Sequence, residues 1–181
     1  ALVQTPAESL EDFADGLRRR MRSPNAAQLV VYPELHLCSL GVDSMPEQEA
    51  VDLYAEPLDG PRDRMLGELA RELGIWLVPG TVLERAEDGS VHNTAVVYDP
   101  DGERVAHYRK IFTWRPYEPF RPGREFVVFD IPGHGRVGLS ICYDSWYPEV
   151  TRHLAWMGAD LVINLVQTPT TGRIQEIPLN Q

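Results

Sequence analysis

Three residues with reactive side chains each follow a short β-like segment of the sequence. Glu34 stands in Tyr-Pro-Glu-Leu after the apolar run at 29–32, Lys110 follows a strand predicted to end near Tyr108, and Cys142 follows the apolar run at 137–141. In layered α/β proteins, functional side chains gather beyond strand ends, where loops converge. A cysteine at a strand-to-helix turn has its sulfur lifted out of the sheet, with backbone N–H groups nearby as oxyanion donors. The pattern therefore indicates nucleophilic catalysis by cysteine.

Each of these residues also has a purely structural interpretation. Taken alone, Cys142 is a small core residue, Glu34 is a loop acid and Lys110 is a surface cation. The other cysteine, Cys38, has no base or cation beside it in the sequence, and we interpret it as a packing residue. The catalytic hypothesis depends on the first three residues coming together.

Helices and strands that would position these residues alternate along the chain. Apolar spacing and end signals predict helices at 7–22, 61–73 and 148–157, the first capped by Ser9 and the second bounded by Pro61 and Gly74. The Asp-Pro-Asp-Gly turn at 99–102 predicts an antiparallel strand pair. Short apolar runs predict strands covered on both faces at 29–32, 75–82, 94–98, 126–131, 137–141 and 161–165. The predicted fold class is α/β.

Other motifs in the sequence have simpler interpretations. The G-x-G-x-x-G pattern at 133–138 leads into a predicted strand, whereas a dinucleotide fingerprint must open a helix, so we interpret it as a turn. Ser140 lacks the final glycine of a serine nucleophile elbow. The five histidines have no metal-ligand spacing, so no structural zinc is predicted.

Composition restricts the classes of partner. The 181 residues are 43% hydrophobic, which fits a single domain over residues 1–181 with a sizeable core. A net charge of −10 argues against nucleic acid and against an anionic membrane surface as partners. No apolar run approaches the ~20 residues that span a bilayer. Two cysteines are too few for a disulfide framework, so we expect a cytoplasmic protein.

Together, these segments resemble the nitrilase (carbon–nitrogen hydrolase) superfamily. The motifs around Glu34, Lys110 and Cys142 follow that family's order, and Tyr-Pro-Glu at 147–149 continues the third motif. The stretch 114–123 resembles the loop after the family's lysine and includes its second glutamate. The resemblance implies an α-β-β-α sandwich of two face-to-face mixed sheets with helices outside. It further implies no metal, no organic cofactor, and assembly as a homo-oligomer, a dimer or larger.

The resemblance also implies a mechanism, in which a thioester on Cys142 is formed and hydrolysed. Glu34 would accept the thiol proton as general base. Lys110 would stabilise the thiolate and then the oxyanion, together with the backbone N–H of Tyr143. Glu118 would line the pocket, where it would orient Lys110 and accept hydrogen bonds from the amide group of the substrate.

Aromatic residues in the same loops are candidates for the walls of a substrate slot, namely Trp114, Tyr117, Phe120 and Trp146. Core packing or an interface explains them equally well. Arg115 or Arg121 would bind a substrate carboxylate, and surface exposure is the alternative for both.

The predicted activity is hydrolysis of a non-peptide C–N bond in a small-molecule carboxamide, with release of ammonia or an amine. Family members that act on nitriles often carry Trp-Glu after the nucleophile, whereas this chain has Tyr143-Asp144, which favours amides. The alternatives are a nitrilase, an N-carbamoyl-amino-acid hydrolase and, from another class, a catalytically silent interaction protein with the same fold. Because the family's domain is typically longer, we expect a C-terminal part to be missing from this sequence.

Overall fold

Local end signals set the helix boundaries in the computed structural model, which describes residues 7–23, 26–38 and 47–167. Its helices are α1 (Leu10–Met21), α2 (Glu47–Tyr54), α3 (Pro61–Leu73) and α4 (Pro148–Trp156). Helix α1 begins after Ser9, whose hydroxyl accepts a hydrogen bond from the Asp12 N–H. Helix α3 has the predicted bounds, because Pro61 suits the first turn and Gly74 ends the helix in a left-handed conformation. Helix α2 has no counterpart among the predicted helices, since its eight residues include few large apolar side chains.

The first sheet has five strands: β1 (Leu29–Val31), β2 (Trp76–Val78), β3 (Thr81–Arg85), β4 (Val91–Tyr98) and β5 (Arg104–Arg109). Strand β1 is parallel to β2, whereas β4 is antiparallel to β2, β3 and β5. Strands β2 and β3 share one edge of β4 and replace the single strand predicted at 75–82, because the chain bends at Gly80 with φ 96°. The turn at 99–102 joins the antiparallel strands β4 and β5, as predicted.

The second sheet is also mixed and has three strands: β6 (Val128–Ile131), β7 (Gly135–Ile141) and β8 (Leu161–Leu165). Strand β7 lies in the middle, antiparallel to β6 and parallel to β8. The glycine-rich pattern at 133–138 forms the turn between β6 and β7 and the start of β7. The interpretation of this pattern as a turn is therefore confirmed.

Two cores hold four layers together. Helices α1 and α3 pack on one face of the first sheet through apolar side chains that include Phe13, Leu17, Leu66, Leu77 and Val96. The other face of that sheet packs against the second sheet through Val31, Val78, Val97, Leu139, Ile141 and Ile163, among others. Helix α4 covers the far face of the second sheet, so closely that a Cβ at Gly138 would lie 3.0 Å from Leu154. The predicted α-β-β-α sandwich is confirmed.

This arrangement fixes the strand ends from which the reactive residues extend. Each fully buried aliphatic side chain of the inner core stabilises the fold by roughly 1.5–3 kcal/mol, so the ends of β1, β5, β7 and β8 have little freedom to move apart. No helix in the part of the chain that the structure describes is long and apolar enough to cross a membrane.

Candidate active site

Cys142 lies at the sharp turn between β7 and a short 3₁₀ helix, Cys142–Trp146. The backbone of Ile141 is extended, whereas Cys142 has φ 43°, a left-handed conformation that residues other than glycine rarely adopt. Cys142 is half-buried, and Cys38 is fully buried beside Leu83 and Phe120. The two cysteines therefore differ in exposure, and only Cys142 has strained backbone geometry of the kind found at functional sites.

Glu34 lies in the turn after β1 and is held by the start of β3. The Leu35 N–H donates to the Thr81 hydroxyl over 2.9 Å, and the Pro33 carbonyl packs against Gly80. A Cβ at Gly80 would lie 2.0 Å from that carbonyl oxygen, so only glycine fits there. These contacts aim the Glu34 side chain inward, where it is 3% exposed.

Lys110 follows β5, and its ammonium lies between two carboxylates. The Nζ atom is 3.0 Å from Glu34 Oε1, and it is 2.8 Å and 2.7 Å from Oε1 and Oε2 of Glu118. The Trp114 N–H also donates to Glu118 Oε2, over 2.6 Å. Lys110 is 1% exposed, and its backbone N–H donates to the Asn93 carbonyl. Such contacts leave the ammonium one position in the site.

Gln167, just after β8, connects Glu34 with Cys142. Its backbone N–H donates to Glu34 Oε2 over 3.1 Å, and its carbonyl oxygen lies 4.0 Å from the Cys142 sulfur. Glu34 and Lys110 extend from the first sheet, while Cys142 and Gln167 extend from the second. The structure thus brings Glu34, Lys110, Glu118 and Cys142 into one cluster at the junction of the two sheets.

Burial and charge set the protonation states in this cluster. Burial raises the pKa of the Cys142 thiol to about 12, assisted by the charge of Glu34 and opposed by Lys110. Burial also raises the pKa of Glu34, although the Lys110 charge opposes the shift. Burial alone would lower the pKa of Lys110, but the Glu34 charge and the Glu118 hydrogen bond outweigh it and raise the pKa. The resting site therefore contains a neutral thiol beside an ammonium.

Asp144 was not predicted as a site residue, and the structure gives it a connecting role. Its buried carboxylate accepts hydrogen bonds from the Tyr108 hydroxyl at 2.7 Å, the Phe112 N–H at 2.8 Å and the Ile141 N–H at 2.9 Å. Tyr108 and Phe112 flank Lys110, and Ile141 precedes Cys142. Asp144 therefore ties the lysine segment to the cysteine turn.

Asn93 was not predicted as a site residue. Its side-chain amide donates to Glu34 Oε1 over 2.8 Å and to Glu118 Oε1 over 3.3 Å. The strand predicted from the apolar run at 94–98 starts one residue after Asn93. Strand β4 in fact begins at Val91, so Asn93 is buried within the sheet.

The predicted pocket residues divide into two groups. Trp114, Tyr117 and Trp146 are largely exposed beside the site, Trp146 at 70%, and the Trp114 and Tyr117 rings lie 4.7 Å apart. Phe120 is a core residue, packed with Leu35, Cys38 and Leu83, which excludes it as a slot wall.

The two arginines are already occupied by protein groups. Arg121 pairs with Asp88, and Arg115 reaches the Phe120 carbonyl over 3.4 Å. Arg121 therefore fits the alternative of an exposed surface residue better than the role of binding a substrate carboxylate. Tyr143 lies in the 3₁₀ helix immediately after Cys142, with its ring against Trp146 and Tyr147.

A cavity of about 810 Å³ lies away from this cluster, on the first sheet near β3 and β5. Its lining includes Glu84, His92 and Arg109 but none of the reactive residues named above. We place the candidate site at the strand ends because Cys142 and the charged groups meet there. Within residues 7–23, 26–38 and 47–167, no group of three histidine, cysteine or acidic residues is arranged to hold a metal ion.

The sequence of the chain matches a protein-family model and the sequences of curated proteins. A family model described as carbon-nitrogen hydrolase matches residues 2–177. A formamidase from Bacillus thuringiensis (strain Al Hakam) is 29% identical over 176 residues, which cover 91% of this chain and 52% of that protein. The chain therefore spans about half the length of the curated relatives it matches.

Solved structures share the fold. A carbon-nitrogen hydrolase from Helicobacter pylori has a TM-score of 0.78 at 25% identity, with 99% of this chain and 64% of that chain covered. The amidase from Nesterenkonia sp. AN1, in a mutant with glutamine in place of a glutamate, has a TM-score of 0.72 at 27% identity. The match covers 98% of this chain and 70% of that chain. That mutant shows the result of Michael addition of acrylamide at its active site cysteine.

Proposed function

The chain belongs to the carbon–nitrogen hydrolase family, and on that premise we propose that it is a cysteine-dependent amidohydrolase acting on small carboxamides. One observation carries the proposal. The buried Lys110 ammonium lies between the Glu34 and Glu118 carboxylates, next to a half-buried cysteine in a strained turn. A structural cysteine needs neither a neighbouring base nor a neighbouring cation.

The first chemical step starts from a neutral thiol. Because the pKa of Cys142 is raised to about 12, a stable thiolate does not form before substrate binds. Glu34 takes the thiol proton as the sulfur attacks the amide carbonyl, and its own raised pKa makes it a stronger base than an exposed glutamate. The sulfur–carbon bond forms as the carbonyl π electrons move onto oxygen.

The developing oxyanion needs donors. Lys110 provides a fixed positive charge, and the backbone N–H of Tyr143 provides the second donor. Collapse of the intermediate breaks the C–N bond, and Glu34 gives its proton to the leaving nitrogen, which departs as ammonia or an amine. Water activated by Glu34 then attacks the thioester, which releases the carboxylic acid and returns the proton to the thiol.

Glu118 orients Lys110 in this scheme. Its Oε1 accepts hydrogen bonds from Lys110 and Asn93, and its Oε2 accepts the Trp114 N–H and lies 2.7 Å from the Lys110 ammonium. A carboxylate has about four acceptor sites, so a substrate amide would have to displace a protein donor to bind there. Of the two predicted roles of Glu118, the orientation of Lys110 is the better supported.

An amide substrate is supported by the relatives, which include a formamidase and an amidase. The test is ammonia release from propionamide, propionitrile and N-carbamoylalanine by the full chain. We expect the amide to be the best of the three. A preference for the nitrile of tenfold or more, ~1.4 kcal/mol in barrier height, would establish the nitrilase alternative instead. A preference for N-carbamoylalanine would establish the N-carbamoyl-amino-acid hydrolase alternative.

The catalytically silent alternative requires a separate test, in which the protein is incubated with acrylamide and digested for mass spectrometry. We expect one acrylamide to be added to Cys142 and none to Cys38, because Cys38 is fully buried, whereas Cys142 is half-buried beside the Glu34 carboxylate. Equal labelling of the two cysteines, or none at Cys142, would support an interaction protein without activity.

A further inference from the structure

Asn93 has a position in the cluster that a purely structural residue would not need. Its backbone carbonyl accepts the Lys110 N–H over 2.9 Å, and its side-chain amide reaches both Glu34 and Glu118. One residue of β4 therefore contacts the lysine and both carboxylates. Thr94, the next residue, points to the opposite face of the sheet and donates to Glu84 over 2.7 Å.

The two carboxylates fix the orientation of the Asn93 amide. The NH2 group must face them, because an amide oxygen in that place would oppose two carboxylate oxygens. The Asn93 Oδ1 atom is then buried with no hydrogen-bond partner among the residues that the structure describes. A buried unsatisfied acceptor is costly, so its retention points to a function for the NH2 group.

The hydrogen bonds to Glu34 distinguish its two oxygens. Oε1 accepts from Lys110 at 3.0 Å and from Asn93 at 2.8 Å, which uses both of its lone pairs. In the described part of the chain, Oε2 accepts one backbone bond, from Gln167, whose own carbonyl oxygen lies 4.0 Å from the Cys142 sulfur, so Oε2 retains a lone pair for the thiol proton. Without Asn93, Oε1 would have a lone pair free to compete for the thiol proton.

We infer that Asn93 is a positioning residue that directs Oε2 of Glu34, and not Oε1, to accept the Cys142 proton. This inference rests on the proposed function and deepens it. Asn93 does not touch the reacting atoms. It acts through Glu34, both by occupying Oε1 and by stabilising the ionised carboxylate with a neutral donor.

The inference has a pH signature with a definite sign. The charged or titratable groups that face Glu34 are Lys110 and Glu118, both after β5, and Cys142, just after β7. Glu34 must be ionised to take the thiol proton, so reactivity is lost as pH falls through its pKa. Removing a donor to the ionised form raises that pKa further. The acid limb of the pH profile must then move to higher pH.

The experiment compares Asn93→Ala with the matched control Thr94→Val, which removes a buried donor from the adjacent residue of β4. The rate of Cys142 alkylation by iodoacetamide and kcat/KM for propionamide are measured across pH in the full chain. For Asn93→Ala we expect both acid limbs to rise by about one pH unit, which corresponds to about 1.4 kcal/mol. For Thr94→Val we expect the acid limbs of both pH profiles to stay where they lie in the unaltered protein.

A uniform loss of rate in Asn93→Ala with an unmoved acid limb would overturn the inference, as would an equal shift in Thr94→Val. If Asn93→Ala fails to fold, Asn93→Ser provides the same readout, since its hydroxyl is too short to bridge both carboxylates. Failure of both variants to fold would make Asn93 structural. If the unaltered protein releases no ammonia from any amide, the proposed function fails, yet the alkylation profile still reports on Asn93.

Discussion

At the scale of single residues, the main feature of the site is one ammonium group placed between two carboxylates. The buried Glu34 carboxylate and the partly buried Glu118 carboxylate share one ammonium. Lys110 is the only lysine in the chain, and the other permanently cationic side chains are all arginine. A compact ammonium reaches both Glu34 and Glu118 from one point, whereas a planar guanidinium presents its donors in a fixed fork. The choice of lysine at position 110 therefore has a geometric reason.

Removal of the sulfur should abolish turnover without loss of the fold. Cys142→Ala deletes one half-buried atom from a strand end, so we expect no detectable ammonia release and a melting temperature within a few degrees of the unaltered protein. Cys38→Ala is the control, with activity retained and some stability lost from the core. Substantial hydrolysis by folded Cys142→Ala would exclude the nucleophile assignment.

Replacement of Lys110 should damage both rate and stability. We expect Lys110→Ala to lower kcat by about 10²–10³, the cost of one oxyanion donor, and to destabilise the fold by about 3–5 kcal/mol, since the buried Glu34 carboxylate loses its partner. Lys110→Arg should not restore the rate. The measurements are steady-state kinetics and urea unfolding. Near-normal kcat in Lys110→Arg would make Lys110 a structural cation only.

At the scale of elements, four strand ends meet at one place. The turn after β1 carries Glu34, β4 carries Asn93, the end of β5 carries Lys110, and the end of β7 carries Cys142. Their relative positions depend on a few close contacts between elements. Two of these are the Gly80–Pro33 contact and the set of hydrogen bonds that Asp144 accepts.

A methyl group at position 80 should displace the Glu34 turn. Gly80 has φ 96° and no room for a Cβ, whereas Gly89, in the β3–β4 turn, has φ 80° and open space around it. We expect Gly80→Ala to lower kcat/KM at least tenfold, ~1.4 kcal/mol. Gly89→Ala should leave kcat/KM unchanged. It should lower the free energy of unfolding by only about 1–2 kcal/mol, because alanine is strained in a left-handed conformation. Kinetics and urea unfolding of both variants measure this, and equal kcat/KM values would contradict it.

Asp144 should matter more to stability than any one of its donors. In Asp144→Asn an NH2 group replaces one carboxylate oxygen, so at least one buried donor faces another donor. We expect a loss on the order of 3 kcal/mol in the free energy of unfolding. Tyr108→Phe removes one donor and should cost about 1 kcal/mol. If urea unfolding gave the same loss for both variants, the hydrogen bonds from Phe112 and Ile141 would contribute nothing measurable.

At the scale of the whole molecule, the site exists only because two sheets pack face to face. Glu34 and Lys110 come from the first sheet and Cys142 from the second, so the core between the sheets sets the distance from Glu34 to Cys142. Large apolar side chains also remain exposed at the end of α4 and the start of β8, namely Trp156, Met157 and Leu161. Exposed apolar side chains of this size favour association.

We therefore retain the prediction of a homo-oligomer, a dimer or larger. Sedimentation velocity should give at least twice the mass of one chain. Trp156→Glu should lower that mass, because it places a charge in an apolar contact. Trp146→Glu, at an equally exposed tryptophan beside the site, should leave it unchanged. A monomeric mass for the unaltered protein would exclude the prediction.

The sequence by itself determined the features that depend on neighbouring residues. The cap at Ser9, the stop at Gly74 and the turn at 99–102 act within a few positions, so spacing alone located α1, α3 and the β4–β5 pair. Apolar runs likewise located most strands and gave the α/β class. The order of the motifs around Glu34, Lys110 and Cys142 indicated a family and its sandwich, and the structure agrees.

Only the tertiary structure decided which polar groups share the site and in what geometry. Asn93 meets Glu34 across 59 positions of sequence, and Lys110 meets Glu34 across 76. Such contacts depend on how two sheets pack and in which register their strands pair. Side-chain direction alternates along a strand, so the register of β4 decides whether Asn93 faces the carboxylates or the opposite face of the sheet, where Thr94 contacts Glu84. No local pattern encodes that choice, because its energy comes from burial and hydrogen bonds to distant segments.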